Sequence, residues 1–99
     1  MSGNDVERAI VEVLTEIQSM SGADCPTMDG RTCPLRDLPQ FDSQLALLAT
    51  VELSARLQCE IPEDVNVFVD DETNRPRRIG EIRDQICAML EPRRTAHER

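Results

Sequence analysis

A chain of 99 residues makes one domain with a small core, and with two phenylalanines, no tryptophan and no tyrosine that core has to be aliphatic. A formal charge of −8 argues against a nucleic-acid binder, whose phosphates such a surface would repel, and favours a basic partner surface. No apolar run approaches membrane-spanning length and the first residues lack the basic and apolar regions of a signal peptide, so a cytoplasmic protein is expected.

The first periodic stretch opens at Asn4-Asp5-Val6-Glu7, with Asn4 as cap and Glu7 in the capping-box position. Val6, Ile10, Val13 and Ile17 recur at three and four with Ala9 and Leu14 beside them, while Glu7, Arg8, Glu12 and Glu16 take the wet side. This predicts a helix over about 5–19, ended by Met20-Ser21-Gly22. Residues 23–40 hold three prolines, a glycine and no long period, which predicts a long ordered loop with a turn of helix near 35–38. Loops of that length are generally packed or functional.

A second helix starts at Asp42 or Ser43 and runs to about 57, closed off by Glu60-Ile61-Pro62. Asp42 is placed to cap free backbone N–H groups, and Ser43 stands in the first turn with its hydroxyl outward. The partial positive charge of a helix N-terminus makes that position a good seat for a phosphate. Leu45, Ala46, Ala49, Leu53 and Leu57 form the expected core stripe, but Leu47, Leu48 and Val51 fall on the opposite arc beside Gln44, where an ordinary surface helix carries charge. Two readings of that arc stand: the preceding loop folds across it, or it is an exposed patch that docks partners.

Residues 63–68 read as a short third helix or turn, with Val65, Val67 and Phe68 supplying apolar contacts. The stretch from Asp70-Asp71-Glu72 to Arg75-Pro76-Arg77-Arg78 is acidic, then basic, and is expected to be a flexible surface loop. Its arginines are read as a solvated balance to the acids, with a phosphate or an acidic partner as the alternative. Ile79, Ile82, Ile86, Met89 and Leu90 restore the helical period, giving a last helix over about 78–90 that Pro92 stops. The expectation is thus an all-α fold with a single domain over 1–91 and a polar tail over 92–99, without internal repeat or useful strand pattern.

Cys25, Cys33, Cys59 and Cys87 contain no Cys-x-x-Cys pair and the lone His97 lies in the tail, so reduced thiols and no metal are expected. A link between Cys25 and Cys33, which share a loop, stays open. No nucleophile, base and orienting acid cluster in the sequence, which argues against an enzyme.

Asp42-Ser43, then Val51-Glu52-Leu53 and Leu57, then Glu60-Ile61-Pro62 at the family's usual spacing, resemble the second helix of an acyl carrier protein, and the similarity extends more loosely from Val6 to Leu90. The resemblance implies a four-helix bundle with a long loop between helices one and two, pinned here by Leu35, Leu38 and Phe41, and a short third helix. It implies phosphopantetheine on Ser43, making the chain a phosphoprotein, with Asp42 both as helix cap and as part of what a phosphopantetheinyl transferase recognises. Gln44, Leu47, Leu48 and Val51 would then meet the enzymes that load or use the cargo. That cargo would be an acyl or aminoacyl thioester in fatty acid, lipid or polyketide-type biosynthesis, carried by a monomer. Gln44 stands where the family usually has Leu or Met, and Pro39-Gln40-Phe41 replaces an often-found glycine. The long segment over 62–79 with Asn74-Arg75-Pro76 is similar to D-alanyl carriers. The departures motivate an alternative from another class, a carrier-shaped adaptor that is never modified and works through Leu47, Leu48 and Val51.

Overall fold

The computed structural model describes residues 3–62, 66–70 and 72–97, without the side chains of 90–97. The described residues form four helices and no strand: α1 Gly3–Ser21, α2 Pro34–Asp37, α3 Ser43–Leu57 and α4 Ile79–His97. The fold is all-α. None of these helices is long and apolar enough to cross a membrane.

α1 is the central element, packing against both α3 and α4. Its periodic residues Val6, Ile10, Val13, Leu14 and Ile17 are buried together with Leu53 of α3 and Ile79, Ile82 and Ile86 of α4. The helix already runs at Gly3, so Asn4 lies inside it rather than capping it. Glu7 accordingly makes no capping box; its Oε1 accepts from Arg83 Nη1 of α4 at 2.7 Å. At the other end Gly22 takes φ 72°, and the Ala23 and Gly22 N–H groups bond back to the carbonyls of Gln18 (3.0 Å) and Ser19 (3.2 Å). That pair of bonds is a Schellman stop, which explains why the helix ends at the glycine.

The long connection from α1 to α3 is held at both ends by one side chain. Gln18 is fully buried. Its Nε2 donates to the Asp24 carbonyl at 3.0 Å and to the Pro39 carbonyl at 2.9 Å, so the last turn of α1 clamps the start and finish of the loop. Leu38 and Phe41 enter the core and Leu35 packs against it half-buried, the three anchors expected from the sequence. Between them α2 is a single turn opened by Pro34, whose missing N–H is no loss at the first helical position. Further along, the Ile79 and Gly80 N–H groups at the head of α4 donate to the carbonyls of Thr32 (2.8 Å) and Gly30 (2.9 Å). A Cβ at Gly80 would come within 3.1 Å of the Gly30 oxygen, so the backbone approach depends on glycine there.

The predicted short third helix falls partly on residues 63–65, including Val65, which lie outside the described residues. Its described end is a turn in which Asn66 Oδ1 accepts from Phe68 N–H at 3.0 Å. Val67 and Phe68 are buried, and the Phe68 ring tilts against Phe41 with centroids 5.6 Å apart. The one short helix among the described residues is therefore α2, ahead of the Ser43 helix.

Two further expectations are corrected. The segment after Phe68 is no loose loop: Val69 bridges Pro76, Arg77 N–H donates to the Phe68 carbonyl at 2.8 Å and Asp70 N–H to the Arg75 carbonyl at 2.8 Å. Asn74 allows the reversal by adopting φ 60°, a left-handed conformation that asparagine tolerates better than most residues. Pro92 also fails to stop the last helix, whose backbone runs on to His97. Proline removes one hydrogen bond, yet its ring favours a φ of about −65°, which is helical.

Candidate functional site: the head of α3

The sequence at Asp42-Ser43 turns a loop into a helix by a specific exchange of hydrogen bonds. Asp42 is extended (φ −122°, ψ −171°), its carbonyl accepts the first helical bond from Ala46 N–H at 2.9 Å, and its Oδ1 accepts from Leu45 N–H at 3.1 Å. This is the geometry of an aspartate N-cap, worth typically about 1 kcal/mol of helix stability. The bond turns the carboxylate onto Leu45 and leaves the N–H groups of Ser43 and Gln44 without an acceptor among the described residues. Ser43 and Gln44 are exposed. A hydroxyl therefore stands in water at the positive end of a fifteen-residue helix, beside two free donors.

From that hydroxyl an apolar strip runs along the helix. Leu47 lies four residues after Ser43, Leu48 four after Gln44, and Val51 four after Leu47, spacings that place them on one face. Leu47 and Val51 are each 58 % exposed and Leu48 is 37 % exposed. The loop before α3 does not cover them. On the inward side Ala46, Ala49, Leu53 and Leu57 are buried and Leu45 is partly so, as the stripe predicts. Thr50 joins them, its hydroxyl satisfied by the Ala46 carbonyl at 2.9 Å. Arg56 fixes the far end of α3 to α1 by reaching Glu12 at 3.1 Å and Glu16 at 2.9 Å.

The structure thus brings Asp42, Ser43, Gln44, Leu47, Leu48 and Val51 onto one continuous surface. The cysteines lie elsewhere. All four are free thiols, Cys25 exposed and Cys33 and Cys59 buried, and no set of three or more metal-ligating side chains occurs among the described residues. Burial pushes the Cys33 thiol above its ordinary pKa, and the Asp37 charge adds to the shift, so it is a poor nucleophile.

No protein-family model, curated protein or solved structure matches this chain.

Proposed function

We propose that the chain is a carrier protein that holds an acyl or aminoacyl group as a thioester on phosphopantetheine attached to Ser43. The observation that carries this reading is the Ser43 hydroxyl, exposed at the head of α3 with its own N–H and that of Gln44 free to meet a phosphodiester and with Asp42 turned aside to cap the helix. These residues suit the group: Ser43 offers an open attachment atom, and the neighbouring N–H donors and helix dipole stabilise negative charge at that atom. When attached, phosphopantetheine supplies a terminal thiol that forms a reactive thioester. The chain presents the cargo and makes no bond itself. Leu47, Leu48 and Val51 provide the apolar contact for the transferase and for enzymes that load or unload the cargo, because an exposed apolar strip next to a modification site gains free energy when a partner covers it. The implied bundle, with α1, α3 and α4 as its long members, is the carrier arrangement in this reading.

The test is intact mass after co-expression with a broad-specificity phosphopantetheinyl transferase. A single arm-sized increase is expected in the wild-type chain and none in Ser43→Ala. An unchanged mass across several transferases would instead favour the unmodified adaptor, for which the same exposed strip is the working surface.

A further inference from the structure

Away from α3, the fold gathers positive charge in a chain whose formal charge is −8. The bridge between Val69 and Pro76 folds Arg75, Arg77 and Arg78 back toward α2 and the loop before it, where Arg31 and Arg36 wait. These five arginines line a cavity of about 550 Å³. Three carboxylates also line it, and each is engaged by the fold's own donors. Asp37 Oδ2 accepts from Cys33 N–H at 2.7 Å and Glu81 Oε1 from Arg78 N–H at 2.8 Å. Asp70 Oδ1 accepts from Glu72 N–H at 3.0 Å and lies 4.0 Å from Arg77 Nη2.

The guanidiniums are left over. Arg31, Arg36, Arg75 and Arg78 are exposed and form no ion pair among the described residues, although the chain has 19 acidic side chains. Elsewhere Arg56 and Arg83 each bridge two carboxylates. Converging unpaired guanidiniums are poorly stable neighbours of one another, and the ligand chemistry that relieves them best is a tetrahedral oxyanion, which each guanidinium fork can grip through two parallel hydrogen bonds.

We infer that this cavity is a binding site for a small, multiply charged phosphate-class anion, such as a pyrophosphate group, distinct from the attachment site at Ser43. No residue of α3 lines the cavity, Ser43 included, which sets it apart from the attachment site. A long polyanion is disfavoured, since its further charges would lie over an acidic surface within the screening length of about 8 Å. The cavity is of the size that takes a compact ligand.

Calorimetric titration of the chain with sodium pyrophosphate, against sodium chloride at matched ionic strength, tests the inference. Saturable one-to-one binding is expected, weakened by at least about tenfold in Arg36→Gln/Arg75→Gln/Arg78→Gln, the loss of charge-assisted hydrogen bonds being of that order. These side chains are exposed, so an unchanged circular dichroism spectrum verifies that the triple variant folds. Arg56→Gln, outside the cavity, should bind like wild type. Ser43→Ala should bind like wild type too, which keeps this site testable whatever the fate of the carrier reading. A nucleoside diphosphate arm separates sources: tighter binding than pyrophosphate assigns an organic phosphate, and equal binding the inorganic anion. No saturable heat, binding that survives the triple variant, loss of binding in Ser43→Ala, or binding only to a phosphoserine peptide would each overturn the proposal.

Discussion

α1 and α3 lie against each other and treat water in opposite ways. In α1, Val6, Ile10, Val13, Leu14 and Ile17 are buried while Glu12 and Glu16 face out, so nearly every apolar side chain contributes to the core. α3 buries Ala46, Ala49, Leu53 and Leu57 and then exposes Leu47, Leu48 and Val51 on its other side. Folding explains the first helix apart from Met20, which is 74 % exposed in its last turn. It explains half of the second. Exposed leucines add nothing to a core and lower solubility, so their presence beside an open serine directs attention to what α3 meets outside the chain.

The largest effect should come from deleting apolar volume on the side that the two helices share. Leu53 is fully buried against α1, and Leu53→Ala should destabilise the chain by about 2–5 kcal/mol, the usual range for a core leucine. Urea denaturation would measure it. Leu47→Ala, in the same helix, should move the midpoint by no more than about 0.5 kcal/mol, as surface substitutions do. Equal losses for both residues would break the comparison, for they would mean that the outer strip is packed.

A middle-sized effect is expected at Gln18. This residue sits on α1's buried face yet holds the loop instead of packing like its apolar neighbours, and its Oε1 has no hydrogen-bond partner among the described residues. Gln18→Leu removes both amide bonds to Asp24 and Pro39 and should cost about 1–3 kcal/mol, the penalty for buried groups that lose their partners. Amide exchange over 23–40 should quicken more than exchange in α4. Uniform quickening across the chain would show that the glutamine serves general packing and not the loop.

Much of this architecture was legible in the sequence because it repeats. The periods of Val6 to Ile17 and of Ile79 to Ile86 locate α1 and α4, and the two-sided apolar pattern of α3 was visible before any fold was known. Asp42 and Ser43 were legible for a local reason: capping depends on a residue and its next three neighbours, which are adjacent in the chain. What escaped depends on contacts between distant segments. Gln18 could have been suspected as a polar residue four positions after Leu14 on the apolar stripe, but its acceptors, Asp24 and Pro39, are set by how the loop closes. The basic residues at 75–78 were visible as a cluster, and their partners Arg31 and Arg36 were not, because the two segments meet only through long-range contacts such as the Ile79 and Gly80 N–H bonds to the Thr32 and Gly30 carbonyls. Pro92 is the opposite case: its own preference argues for a helix end, and the backbone continues helical to His97.

The smallest expected change in stability carries the sharpest test of the difference between α1 and α3. Leu47 is more than half exposed, so Leu47→Glu puts a charge into water and not into a core, and near the N-terminal half of a helix a carboxylate is tolerated. Its unfolding midpoint should stay within about 0.5 kcal/mol of wild type. On the proposed carrier reading, the rate at which a phosphopantetheinyl transferase modifies Ser43 should nevertheless fall by about tenfold, the loss expected when an apolar anchor at an interface becomes a desolvated charge. Both measurements are needed, because a slow reaction in an unstable variant would say only that α3 had loosened. A stable variant modified at the wild-type rate would detach the strip from the serine, leaving Leu47 as surface that the transferase does not touch.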